Sequence, residues 1–372
     1  MAAARPAAPT SGHSPSERIS SLSNLVASRS AEVAAETQAR SATVQRLTET
    51  RRAEDAALAR ADLLAEAQLV AQRAARAARN DVGSLAAAFY RGASRPAGVA
   101  SLFESRSVTE FGYRQKIVSE VGNRQTRALL RALKVQRAAE RAARNAGDEH
   151  VRLHQLALSL RNEIPRRDAR IGELQAGVSR ARFWLSRWQS ISAGVNTPIM
   201  SRSIIGPSEL ARWFTATHRR SARITVPIAT LAQYFIEEGQ AAQVRGDIAF
   251  AQSILETGAF YFPDGGQLTP TDNNFAGINA CDSCATGSAF PSAQIGVRAQ
   301  MQLLRVYADA NLTNAQLNPP PVYAKLDSHF LKGRVTTWNG LTHTWATADR
   351  YGDRILDIYG EILGWLTDQA NI

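Results

Sequence analysis

From Ser16 to Arg95 the chain contains no proline, and its residues are mostly Ala, Arg, Glu, Gln and Leu. A run of that length and composition can fold only as a long helix that shares its apolar stripe with a partner. Apolar positions recur at helical spacing through Ile19, Leu22, Val26, Val33, Val44 and Leu47. Leu47, Leu58 and Leu69 lie eleven residues apart, which suits a shallow supercoil better than a strict heptad. The spacing predicts a first helix over residues 15–82, broken at Gly83, Gly92 and Pro96-Ala97-Gly98. A second helical run starts near Val108 and passes Leu160, with Pro165 expected to kink or end it. A further piece, Ile171–Trp188, leads toward the rest of the chain. Two long helices with a short break between them read as an antiparallel hairpin.

All six Trp and both Cys follow residue 183. The charge is divided in the same way. Residues 1–200 hold 31 Lys+Arg against 18 Asp+Glu, and residues 201–372 hold 13 against 15. Arg outnumbers Lys 40 to 4, a bias read as genomic base composition rather than a phosphate-binding surface. Charges alternate in sign along the helices, and aromatic interleaving is missing, so no nucleic-acid partner is expected. No stretch approaches the ~20 apolar residues of a membrane span. Residues 1–30 lack the apolar centre of a secretory signal, and Ala2-Ala3-Ala4-Arg5-Pro6 reads as the start of a mature chain or of one given an added Met. That absence is not taken as a cytosolic address.

The expected division is a coiled coil over 14–190 with its tip at 83–113, a linker over 191–206, and a compact domain over 207–372. Every aromatic before residue 183 falls in the tip region: Phe89, Tyr90, Phe103, Phe111 and Tyr113. With Leu102 they form either a small core closing the turn or a docking surface, because coiled coils usually turn with a short polar loop. In the compact domain helices are expected at Ser208–Thr217, Pro227–Glu238, Asp247–Glu256, Ala293–Asp309 and Arg350–Leu366, with Asp247 as an N-cap. Between the third and fourth lies a loop-rich stretch of more than 30 residues, a length that is usually functional. The domain is therefore read as mainly α with a small loop or β-lobe.

Glu256 closes the third of these helices. The helix dipole and the apolar neighbours Ile254, Leu255, Phe260 and Tyr261 both disfavour its charged form and raise its pKa. A general acid working near neutrality needs that shift, although by spacing alone a solvated surface glutamate is the commoner reading. Asp264, Asp272 and Asp282 are candidates for a second carboxylate. Asn273 and Asn274 either hydrogen-bond sugar groups or pin the loop backbone. Tyr261, Phe275, Trp338 and Trp345 are candidates for stacking on pyranose faces or for the core. Cys281 and Cys284 lack the second pair of a zinc site and the βαβ setting of a redox motif; a loop-stapling disulfide outside the cytoplasm suits them better. No metal or cofactor is expected.

Three segments together resemble the bacterial glucosaminidases, endo-β-N-acetylglucosaminidases of peptidoglycan. They are Leu255-Glu256-Thr257-Gly258, Asn273-Asn274-Phe275-Ala276-Gly277-Ile278 and Trp345-Ala346-Thr347-Ala348-Asp349-Arg350-Tyr351, in the family's order and spacing. The resemblance covers residues 209–366 and implies a lysozyme-like fold with Glu256 as general acid. It also implies Tyr261, Asp272, Asn273, Asn274, Phe275 and Trp345 at the substrate and Asp282 as a second acid. Two departures stand out: Trp345 replaces the family's usual Tyr, and the lobe offers only Asp282 where the family has its second acid. The 2-acetamido group of the substrate is an alternative to that second carboxylate.

The segments Phe89-Tyr90-Arg91-Gly92 and Leu102-Phe103-Glu104-Ser105-Arg106-Ser107-Val108-Thr109-Glu110-Phe111 resemble the coiled-coil tip of septal peptidoglycan hydrolases controlled by FtsEX. That resemblance implies FtsX as partner through Phe89, Tyr90, Leu102, Phe103 and Phe111, an autoinhibited resting state, and a place at the septal cell wall. The alternative reading is a non-catalytic peptidoglycan-binding or hydrolase-activator protein.

Overall fold

The computed structural model describes residues 14–94, 105–192, 197–218, 220–280, 284, 286–322, 326 and 329–370, without the side chains of 89–94, 118 and 192. Two long helices, α1 (Pro15–Ser94) and α2 (Val108–Ser192), precede five shorter ones. These are α3 (Pro207–Thr217), α4 (Ile228–Ala242), α5 (Gly246–Thr257), α6 (Ala293–Ala308) and α7 (Tyr351–Gln369). No described helix is long and apolar enough to cross a membrane. The chain divides into one compact unit of residues 32–173 and another made of residues 1–31 with 174–372.

The first unit is the hairpin. Leu47, Ala157 and Leu160 are buried together, with Leu156 and Ile164 packed against them. Elsewhere its seam is small: Ala71, Ala75 and Ala146 are buried. Cross-helix pairs join Glu36 to Arg167 at 2.8 Å, Glu54 to His154 at 2.6 Å, and Arg40 to Asp168. Exposed pairs of this kind contribute ~0–1 kcal/mol each, so their main effect is on register. Three expected breaks are absent. α1 runs through Gly83 and Gly92 to Ser94, because each glycine costs only ~1 kcal/mol relative to Ala in a helix this long. α2 runs through Pro165. Arg167 grips both Glu163 and Glu36 beside it, and Ile164 packs on the seam, which holds the helix across the missing hydrogen bond.

The second unit is built on α5, buried from Gly246 to Ile254. α4 crosses it closely: a Cβ on Gly246 would lie 2.0 Å from the Phe235 carbonyl oxygen. Phe235, Phe250, Phe260 and Phe275 pack as a ring cluster above that crossing. Asp247, expected as an N-cap, lies inside α5. Its carboxylate takes the Arg245 guanidinium, the Tyr359 hydroxyl and the backbone N–H groups of Ile204 and Ile205. The Arg245 charge holds its pKa below the usual carboxylate range in spite of full burial.

Both roots of the hairpin belong to this core. Leu22, Trp184, Trp188 and Ile191 join its buried cluster. The Trp188 indole N–H donates to Thr367 Oγ1 at 3.0 Å. Arg187 clamps Glu209 with bonds of 2.8 and 3.1 Å, and Arg18 clamps Asp368 with bonds of 2.8 and 3.3 Å. The sequence division left residues 174–190 with the coiled coil, whereas their apolar face packs on the C-terminal helices. The lobe between α5 and α6 is loop, and no strand forms among the described residues beyond isolated bridges such as Pro198 with Thr337.

Candidate active site

Glu256 is the penultimate residue of α5, and Gly258 ends the helix in a left-handed conformation with φ 58°. Its backbone N–H bonds back to the Ile254 carbonyl. Ala259, Phe260 and Phe262 also have positive φ, so the chain coils tightly beneath the acid. Thr257 holds this coil by accepting the Phe260 N–H at 2.8 Å.

Glu256 is partly buried, and two donors meet its carboxylate. The Tyr351 hydroxyl, on the first residue of α7, donates to Oε1. The Trp345 indole N–H donates as well. Behind Tyr351 runs a buried chain. Gln252 donates its amide to the Tyr351 oxygen at 2.9 Å, Gln300 donates to Gln252 Oε1 at 2.9 Å, and Ser253 donates to Gln300 Oε1 at 3.0 Å. Loss of water around the carboxylate raises the Glu256 pKa to about 7. The Tyr351 and Trp345 donors and the Arg354 charge oppose that rise and are outweighed. Burial and the neighbouring Glu256 push the Tyr351 phenol well above its usual pKa, so it stays a donor throughout the neutral range.

Asn274 is fully buried, and its amide is wholly used within the loop. Its oxygen accepts the N–H groups of Ala276 and Ile278, and its nitrogen donates to the carbonyls of Ile278 and Ser288. The loop so tied presents Gly277, at φ 65°, to the acid: a Cβ there would lie 3.1 Å from Glu256 Oε2. Asn273 accepts the Thr225 hydroxyl and donates to the Phe290 carbonyl, pinning the lobe to its neighbours. Phe275 is in the core among Phe235, Phe260 and Phe262. Asp272 caps its own turn through the Thr269 N–H and hydroxyl. Trp338 is fully buried. Tyr261 lies beneath Arg220 and Arg223, whose guanidinium carbons are 4.9 and 5.5 Å from its ring centre. Asp264 is exposed and paired with Arg223 at 2.7 Å.

Of the sequence candidates, the structure brings Glu256 and Trp345 into direct contact. It places Asn273, Asn274 and Phe275 in the framework around them. Asp282 and Cys281 lie outside the described residues, while Cys284 is disulfide-bonded. Leu102 and Phe103 lie outside them too, as do the side chains of Phe89 and Tyr90. Phe111 is half-buried in the first turn of α2. Sequence reasoning gave no role to Tyr351, Gln252, Gln300 or Gly277. Gln252 had a readable signal, since four residues before Glu256 on a helix means the same face.

A helical domain whose central helix ends in a single acid, kept protonatable near neutrality, is lysozyme-like in class. Residues 232–363 match the family model for mannosyl-glycoprotein endo-beta-N-acetylglucosaminidase. An uncharacterized protein of Borreliella burgdorferi is 30% identical over 136 residues, which is 37% of this chain. The chain spans 63% of that relative's length. No solved structure matches.

Proposed function

We propose that the chain is a glycoside hydrolase that cuts the β-1,4 bond after N-acetylglucosamine in peptidoglycan. The observation carrying this reading is the pKa of Glu256, raised to about 7. At neutral pH about half the molecules then hold a proton ready for the leaving glycosidic oxygen. As the bond breaks, that proton passes to the leaving oxygen and Glu256 becomes a carboxylate. The Tyr351 and Trp345 donors strengthen as this charge appears, so they favour the transition state over the resting acid. The cation developing at the anomeric carbon is met by the substrate's own 2-acetamido oxygen or by Asp282. Asp264 is paired with Arg223 and Asp272 caps a turn, which favours the acetamido group. Asn273 and Asn274 support the site rather than contact sugar.

The test is mass spectrometry of fragments released from purified peptidoglycan by the whole chain and by Glu256→Gln. Fragments with reducing-end N-acetylglucosamine that vanish in the variant support the reading. Reducing-end N-acetylmuramic acid would reverse the linkage. Binding without any release would favour the non-catalytic alternative.

The proposal extends to control. The tip residues Phe89, Tyr90, Leu102, Phe103 and Phe111 dock on FtsX of the FtsEX complex, outside the cytoplasm at the septal wall, and docking releases an inhibited resting enzyme. The aromatic clustering at the tip supports this. Phe89→Ala with Tyr90→Ala should abolish stimulation by the FtsX extracytoplasmic domain; unchanged stimulation would refute it. A cut at residue 207 is a poor test, because it strips Leu22, Trp184, Trp188 and Ile191 from the core.

A further inference from the structure

The hairpin carries a continuous basic column on its outer surface. Along α2 the seam positions repeat as heptads through Leu129, Gln136 and Ala143 and through Ala132, Ala139 and Ala146, all at least partly buried. Arg127, Arg131, Lys134, Arg137, Arg141 and Arg144 are all exposed. At ~100° per residue they fall within an arc of ~140° centred opposite that seam. Arg127, Lys134 and Arg141 are seven residues apart and form its midline. The sign alternation seen elsewhere along the hairpin fails here: residues 121–139 contain no Asp or Glu. Glu140, the one acid within the column's length, sits on the half-buried side and takes the Gln136 amide at 2.8 Å. Because residue 54 is level with residue 154, the antiparallel register sets residues 70–80 level with the column's middle, across the seam from it. They bring no acid to that stretch.

We propose that this column binds a linear phosphodiester polymer without bases, of the polyol phosphate class. Six cations over seventeen residues of helix rise put one charge about every 5 Å. An extended glycerol phosphate repeat, with twice the backbone bonds of a peptide residue, spans at most ~7 Å and less when bent. Duplex nucleic acid is far denser, at one charge per ~1.7 Å, and would leave most phosphates unmatched. Single strands use aromatic platforms, and the chain has no Phe, Tyr or Trp between Tyr113 and Phe183. A bilayer surface needs a broad apolar face, and only Leu130 emerges within the column. This binding is independent of the hydrolase reading and would hold the chain on an anionic matrix whether or not it cuts glycan.

The experiment measures binding of the whole chain to synthetic poly(glycerol phosphate) across a salt series. The comparison is the triple variant Arg127→Gln, Lys134→Gln, Arg141→Gln. These positions lie off the seam, and an unchanged circular dichroism spectrum reports an intact hairpin. Each phosphate contact contributes about −0.7 to the slope of log affinity against log salt. The variant should therefore lose ~2 from the slope and bind about 100-fold more weakly at 0.1 M salt. A control triple, Arg51→Gln, Arg60→Gln, Arg161→Gln, removes the same charge from exposed positions off the column and should lose far less. Equal loss in both triples would reduce the effect to net charge and overturn the proposal. So would tighter binding to phosphatidylglycerol vesicles or to an oligothymidylate than to the polymer.

Discussion

Tyr351→Phe removes one oxygen atom and isolates the contribution of the phenol to the acid. The hydroxyl donates to Glu256, and that bond favours the carboxylate. A hydrogen bond to a charged group contributes ~1.5–3 kcal/mol, which corresponds to ~1–2 pKa units. The Glu256 pKa, about 7 with the phenol in place, should therefore rise to ~8–9 without it. The assay is the pH dependence of kcat/KM on peptidoglycan. A general acid works when protonated, so activity falls as pH rises through its pKa. In Tyr351→Phe the alkaline limb should move up by ~1–2 units, while the plateau drops because the carboxylate formed on proton transfer is less stabilised. Gln252 also loses its acceptor inside the core, which costs ~1–3 kcal/mol of stability. An alkaline limb that stays in place or moves down would refute the assignment of that limb to Glu256.

Other substitutions test neighbouring links. A carboxyl whose pKa is raised on folding makes the native state bind the proton more tightly, so its presence costs stability as pH rises from the unfolded pKa to the folded one. With values of ~4.3 and about 7, wild type should lose on the order of 3 kcal/mol across that window, and Glu256→Gln should not. Denaturant midpoints at pH 4.5 and 7.5 measure this; a gap between the two proteins that does not widen with pH would contradict it. Gly277→Ala forces a left-handed residue and sets a methyl 3.1 Å from Glu256 Oε2, so turnover should fall more than the ~1–2 kcal/mol loss of stability accounts for. Trp188→Ala should cost ~3–5 kcal/mol in urea unfolding, from the cavity and the bond lost to Thr367. A loss below 1 kcal/mol would mean that the hairpin root is only loosely attached.

Helices were legible because their signals are local. The Ala-rich runs, the last helix expected at Arg350–Leu366 and the loop after Glu256 all appear in the structure near their expected positions. The expected breaks at Gly83, Gly92 and Pro165 are absent, because one glycine is small against helices of 80 residues or more and Arg167 ties Glu163 and Glu36 beside the proline. Glu256 became the candidate acid through the resemblance of the segments around it, since its helix-end place and apolar neighbours alone fit a solvated surface glutamate better. What tunes it was not legible. Tyr351 and Gln300 reach Glu256 and Gln252 from helices far along the chain, and no spacing rule links them. Asn274 looked equally suited to sugar or backbone; only the four bonds to its own loop decide between them. Trp184 and Trp188 belong to the core of the second unit, yet the helical pattern around them is continuous with the coiled coil.

The central claim is that Glu256 is a carboxylic acid held half-protonated at neutral pH. A carbon-13 NMR titration of the labelled Glu256 carboxyl in the whole chain, assigned by its loss in Glu256→Gln, measures that directly. A midpoint near 7 is the result expected. A midpoint below 5 would mean that the carboxylate is already charged at neutral pH and cannot be the acid that cuts the glycan.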